Sequence, residues 1–242
     1  MLKLPSKNQK IYVLVKKSGV VIYFTTSNRH KYLEAKEIFR KNGLKLGRIS
    51  RDYTEIQANT LEEVVKEALW HINRKKVFIE DSGIFIKALN GFPGVYSRYV
   101  EDTIGNRGIL RLMRDVKNRG AVFRSVVGYK DSRTKLFKGE VYGSIALEER
   151  GIKGFGYDPI FIPKDYNKTF AEDYRLKQKI SHRRKAIEKL AKYLSTSQSS
   201  FSYRRERMIA HAETQSCTCR GQVIYRVKTR LREERSSSEG VD

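Results

Sequence analysis

Cysteine is nearly missing from this chain: two residues in 242, both near the C-terminal end as Cys217-Thr-Cys219. Nothing elsewhere can bridge to them, so the sequence predicts a core without disulfides and a reducing interior as its compartment. A C-x-C pair with His211 nearby falls short of the four-ligand spacing of a structural zinc site, which leaves two incidental thiols. Long apolar runs are missing too. None approaches the length of a membrane span, and the N-terminal MLKLPSKNQKIYVLVKKSG has an apolar core too short for a signal peptide. These absences predict a soluble, cytoplasmic protein with no membrane partner. Acidic residues are the third scarcity, 27 against 50 Lys and Arg, giving a net charge of +23. That excess points to an anionic partner: nucleotide, nucleic acid or anionic lipid. Residues 196–242 carry only +3 of it, so the first 195 residues, at +20, are themselves basic.

What is present suits one substantial domain with an appendage. An apolar content of 39% supports a core. The composition shifts at Ser195, where STSQSSFS reads as a polar linker, and residues 196–242 read as a disordered segment or a basic appendage. Residues 1–19 read as an N-terminal extension, leaving residues 20–195 as the domain.

Within that domain, Val20–Phe24 reads as a buried strand, followed by TTSN and a helix that stops at Asn42-Gly43. A second amphipathic helix is predicted over Leu61–His71 and a strand over Val77–Ile79, ending in Glu80-Asp81-Ser82-Gly83. A short apolar segment (Ile84–Leu89) and a helix around Arg107–Lys117 follow. Ala121–Tyr129 and Lys135–Leu147 read as paired strands about a turn at Asp131–Arg133. A strand over Ile160–Ile162 and a last helix over Leu176–Leu194 complete the reading. Interleaved helices and strands with antiparallel pairs in the middle predict an α/β fold with a mixed sheet.

Four stretches carry chemistry. In TTSNRHKYLE, a strand feeding a capped helix leaves free N–H groups at Thr26, Ser27, Asn28 and Arg29, an anion site. Lys31 faces the like-signed end of the helix dipole, which makes sense if a phosphate neutralises it; the alternative is a solvated lysine. In FIEDSG, Glu80 and Asp81 close a strand where ligands bind in open α/β sheets. Side chains alternate along a strand, so only one of the two should meet a ligand. Carboxylates beside a phosphate need a hard cation between them, and Mg²⁺ fits, with Glu55 as a candidate second ligand; the alternative is a turn with solvated acids. In GFGYDPIFIP, Gly154 and Gly156 let the backbone approach a flat ligand, Phe155 and Tyr157 offer stacking surfaces, and Asp158 can accept from ring N–H groups. The alternative is a tight turn with core aromatics. In KISHRRKA, Ser181, His182 and Arg183 bring a hydroxyl, an imidazole and a guanidinium together, donors suited to purine carbonyl and N7 acceptors; a capping serine beside solvated basic residues is the alternative.

Taken in order, TSNRHKYLE, EDSGIFIKALNGFPGVYSRYV, GFGYDPIFIP and FAED…KISHRRKA resemble the inosine/xanthosine triphosphate pyrophosphatases, over roughly Val20 to Leu194. The resemblance implies that Asn28, Lys31 and Lys66 hold the triphosphate, with Thr26 and Ser27 beside them. It implies Mg²⁺ held by Glu55 and Asp81 with Glu80 adjacent. It places Phe155, Tyr157, Asp158, Ser181, His182 and Arg183 at the base, with Lys177, Ser82 and Gly156 completing the substrate contacts. It further implies an elongated, two-lobed α/β fold with a long mixed sheet and a cleft between lobes, usually as a homodimer. The implied reaction cuts between the α and β phosphates, with Asp81 as metal ligand or base and Lys31 and Lys66 stabilising the leaving group. Ser27 stands where the family has Gly. Two other readings stay open: a basic nucleic-acid-binding module, suggested by the charge and by the interleaved Arg and Tyr of the tail, and a pyrophosphatase for a different modified nucleotide.

Overall fold

Two apolar runs organise the sheet. In the computed structural model, which describes residues 20–51, 56–206, 212–219 and 222–229, β1 (Val21–Thr25) pairs in parallel with β3 (Val77–Ile86). On the other side of β1 lies β2 (Lys45–Ile49), also parallel. Beyond β3, three antiparallel partners follow: β4 (Gly120–Lys130), β5 (Thr134–Ile145) and β6 (Phe161–Pro163). The result is a six-stranded mixed sheet in the order β2-β1-β3-β4-β5-β6.

The strand β3 departs from the sequence reading. It was expected to stop at Ile79, yet it continues to Ile86 through Glu80-Asp81-Ser82-Gly83. Its backbone stays paired with β4 from Val77 opposite Lys130 to Ile86 opposite Ala121. The ladder bonds satisfy the backbone whatever the side chains are, so polar residues in mid-strand do not end it. Alternation then sorts the side chains: Asp81 shares a face with Val77 and Ile79, whereas Glu80 shares the other with Phe78. Val77 and Ile79 pack under α2 (Leu61–Trp70) with Leu61, Val65 and Leu69. Further along β3, Ile84 and Ile86 belong to a second apolar cluster with Val100, Ile109, Phe123, Phe161 and Phe170. The polar tetrad therefore interrupts two cores, and its position is fixed from both sides.

Local signals hold the helices. α1 (Arg29–Lys41) is capped by Asn28, whose Oδ1 accepts from Lys31 N at 3.1 Å. α2 carries a capping box in which Thr60 Oγ1 accepts from Glu63 N and Glu63 Oε2 accepts from Thr60 N. The helix expected around Arg107–Lys117 is α4 (Gly105–Leu112), and α3 (Ser97–Thr103) precedes it. The long C-terminal helix is two. Ser181 breaks it with an extended ψ of 153°, ending α5 (Tyr174–Ile180) and opening α6 (His182–Glu206).

The chain divides into two compact units, residues 1–192 and 193–242. In the second, β7 (Ala212–Cys219), which holds both cysteines, and β8 (Gln222–Thr229) form an antiparallel pair. Residues 1–19, Glu55 and His211 lie outside the described residues.

Candidate active site

A cleft of about 330 Å³ opens where the polar tetrad of β3 meets the N-terminus of α1, the loop before β6 and the break between α5 and α6. This is within the size range of ordinary ligand pockets. Thr26, Ser27, Asn28 and Lys31 line one part. Asp81 and Ser82 come from β3. Phe155, Gly156, Tyr157 and Asp158 come from the loop, and Lys177, His182 and Arg183 from the two helices. Thirteen of the seventeen residues singled out from the sequence thus share one cavity, although up to 157 positions separate them (Thr26 to Arg183).

Four do not line it. Glu55 lies outside the described residues. Lys66 sits on the exposed side of α2. Ser181 is buried, and its Oγ accepts from Arg184 N at 3.2 Å, so it works as the cap of α6. Glu80 lies behind the wall rather than on it. Its Oε1 accepts from Ser125 Oγ at 2.6 Å, and its Oε2 is 3.1 Å from both Lys31 Nζ and Arg183 Nε. A carboxylate committed to two cations and a hydroxyl is a poor candidate for metal ligation.

The electrostatics follow from that burial. Burial alone would raise the Glu80 carboxyl, but Arg183 and Lys31 outweigh it and hold the group well below the usual carboxylate range. Burial likewise opposes the charge on Arg183, and Glu80 and Glu34 overcome it, so its guanidinium stays protonated. His182 is the opposite case: burial, reinforced by the Arg183 charge, pushes its imidazole well below 6.5. It is neutral at ordinary pH. Its ring stacks on Phe123 at 4.5 Å and 6°, and its buried Nδ1 has no hydrogen-bond partner among the described residues.

The loop before β6 is built around Asp158. Gly154 adopts φ +86°, and a Cβ there would stand 2.2 Å from Asp158 Oδ2. That oxygen accepts from Phe155 N at 2.8 Å and pairs with Lys177 Nζ at 2.5 Å. So Gly154 makes room for Asp158 rather than for a flat ligand, while Gly156, at φ +65°, is the glycine on the cleft wall. Tyr157 is buried, and its hydroxyl donates to Ser97 O at 2.7 Å. The aromatic ring on the cleft wall is that of Phe155, which is half-buried, with Lys177 Nζ 4.1 Å and Arg183 Cζ 5.3 Å from its centroid and the His30 ring stacked at 5.7 Å.

Sequence reasoning missed Arg51, Arg98, Glu101 and Phe123, which also line the cleft, and Glu34, whose Oε2 is 3.0 Å from Arg183 Nη1. Glu34 closes the quoted stretch TTSNRHKYLE one helical turn after Lys31, a spacing that could have marked it. Of the others, Arg98 lies within the quoted EDSGIFIKALNGFPGVYSRYV and Phe123 within the expected strand Ala121–Tyr129, whereas nothing in the local sequence distinguishes Arg51 and Glu101 from surface residues. Burial raises the Glu101 carboxyl, with the Arg98 charge opposing and the nearby Asp102 and Asp158 adding to the rise.

The cleft brings together the N-terminus of α1 with Lys31, the Asp81 carboxylate, and an aromatic ring beside a fixed guanidinium; of the amides expected to be free, those of Thr26 and Asn28 are taken, by Ile49 O at 3.0 Å and Thr26 Oγ1 at 3.2 Å. Known proteins resemble the chain that forms this cleft. The Ham1 family profile matches residues 22–193. A dITP/XTP pyrophosphatase from Methanopyrus kandleri is 49% identical over 178 residues, covering 71% of this chain and 95% of that protein. Another from Thermococcus kodakarensis is 48% identical over 175 residues, covering the same shares. The solved Ham1 protein of Staphylococcus aureus aligns with a TM-score of 0.61 at 34% identity, over 72% of this chain and 99% of that one. On the extent of the profile match and the closeness of these relatives, the chain belongs to the Ham1 family.

Proposed function

We propose that this chain hydrolyses purine nucleoside triphosphates carrying deaminated bases (ITP, dITP and XTP) to the monophosphate and pyrophosphate. The observation that carries the proposal is the single cleft lined by Lys31 and the N-terminus of α1, by Asp81 of β3, and by Phe155, His182 and Arg183. The names of the relatives, dITP/XTP pyrophosphatases, point to the same substrate class.

The residues fit Mg²⁺ as the cofactor. Among the described residues no cluster of three His, Cys, Asp or Glu could cage a metal. Mg²⁺ does not need one, since it commonly takes one or two carboxylates together with substrate phosphates. Asp81 supplies a hard oxygen at the wall and would hold it, with Glu55 the second ligand of the proposal. Bound there, Mg²⁺ supplies neutralisation of phosphate charge and Lewis-acid polarisation at the reacting phosphorus. The protein's own groups do the rest. Lys31 and the α1 N-terminus offset charge on the pyrophosphate side. Asp81 is placed to orient a water for in-line attack on the α phosphorus. Phe155 stacks on the base, and Arg183 donates to the purine 6-carbonyl, which adenine lacks. Guanine shares that carbonyl, so its 2-amino group is rejected by shape or by an unmatched donor. Lys66, exposed on α2 outside the cleft lining, is the second lysine of the proposal, offsetting charge on the leaving pyrophosphate.

A cytoplasmic homodimer belongs to the same proposal. No described helix is long and apolar enough to cross a membrane, and Phe92, Tyr96 and Tyr99 expose apolar surface near α3. The test of the reaction is hydrolysis of ITP in ¹⁸O-labelled water. Label in the inosine monophosphate is expected, and label only in the released phosphates would contradict attack at the α phosphorus. Asp81→Asn is expected to lower kcat by at least about 10²–10⁴-fold without unfolding the protein.

A further inference from the structure

Adjacent acids at a proposed metal site invite the assumption that both bind the metal. The geometry points elsewhere: we infer that Glu80 is a positioning residue, an anionic clamp that holds Lys31 and Arg183 side by side in fixed relation at the cleft. The inference rests on the functional reading above and concerns how the phosphate-binding and base-binding groups are held together.

Three observations carry it. Glu80 is buried behind the wall, where alternation along β3 turns it away from the Asp81 side. One carboxylate oxygen, Oε2, lies 3.1 Å from Lys31 Nζ on α1 and 3.1 Å from Arg183 Nε on α6. Lys31 Nζ also reaches Glu80 O at 3.4 Å, so both the backbone and the side chain of this residue meet the lysine. The other oxygen is held by Ser125 Oγ from β4 at 2.6 Å, which fixes the carboxylate itself. Arg183 is pinned on its far side by Glu34 at 3.0 Å and by Ser82 Oγ at 3.1 Å. A group proposed for the phosphates and one proposed for the base thus share a single counter-ion, which sets the distance between them. Charge-assisted contacts in a dry environment hold such geometry tightly. This also explains a lysine at the unfavourable end of the α1 dipole: its neutralising partner is built into the fold.

The experiment separates positioning from metal ligation. Affinity for a non-hydrolysable α,β-imido analogue of ITP is measured by calorimetry for wild type, Glu80→Gln and Ser125→Ala, once in Mg²⁺ and once in EDTA. Positioning predicts that Glu80→Gln weakens binding on the order of tenfold or more in both arms, and Ser125→Ala by about fivefold in both. It also predicts that the ratio of kcat/KM for ITP over ATP falls in Glu80→Gln, a change that loss of stability alone would not produce. A loss confined to the Mg²⁺ arm would make Glu80 a ligand and overturn the inference, as would unchanged affinity in both arms. If Glu80→Gln does not fold, the Ser125→Ala pair of measurements decides by the same criteria. A wild type that cleaves ITP while the variants bind normally would sink this inference alone; a wild type that neither binds nor cleaves ITP would sink the functional reading with it.

Discussion

Glu80 and Asp81 are neighbours whose side chains leave β3 on opposite faces, and that parity gives them different work. Asp81 reaches the cleft; Glu80 is committed to Lys31, Arg183 and Ser125. The sequence made the alternation readable, so one acid could be expected to face a ligand, but nothing local said which. That depended on α1 and α6 arriving on the Glu80 side. The same burial makes stability depend on pH in two windows. His182 is depressed below its ordinary 6.5, so the unfolded chain takes the proton first, and stability is lost as pH falls below 6.5. Glu80 is depressed below its ordinary 4.5, so its contribution is complete above 4.5 and is lost as pH falls further. Melting curves from pH 8 to pH 5 are expected to show a falling Tm in wild type that flattens in His182→Phe, which keeps a ring on Phe123. Equal slopes in the two proteins would contradict a neutral buried imidazole.

Elements were legible where a face was wholly apolar or a cap was spelled out. β1, α1, α2 and the β4–β5 pair follow their sequence signals closely. Edge strand β2, with Lys45 exposed and the other four residues, Gly47 and Arg48 among them, half-buried, carries no such signal and was missed. The break at Ser181 was hidden because α5 and α6 continue one hydrophobic stripe, and only the extended backbone of that serine parts them. The loop before β6 was read as approaching the ligand, whereas its first glycine serves Asp158. Gly154→Ala tests this. A side chain at φ +86° and 2.2 Å from Asp158 Oδ2 is expected to cost about 1–3 kcal/mol in chemical denaturation and to raise KM by releasing Lys177. A variant as stable as wild type, with unchanged KM, would show that the loop relaxes without moving Asp158.

At the scale of the molecule, the family match ends at residue 193, and the relatives named above are covered over 95% of their own lengths. Catalysis by residues 20–195 alone is therefore expected: removing residues 196–242 should leave kcat/KM for ITP unchanged, and a large loss would show that the tail belongs to the enzyme. The net charge of +23 first suggested an anionic partner of unspecified kind. The cleft narrows it, because lysines and arginines line it together with the Asp81 carboxylate, which would repel a bare phosphate backbone but suits a metal-bound triphosphate. The central claim is that one cleft grips a triphosphate at one end and reads a purine 6-carbonyl without a 2-amino group at the other. The most direct test is kcat/KM for ITP, dITP and XTP against ATP and GTP in Mg²⁺, following pyrophosphate release. The account predicts that the first three exceed the last two by about 10⁴-fold; comparable rates on ATP, or release of orthophosphate alone, would contradict it.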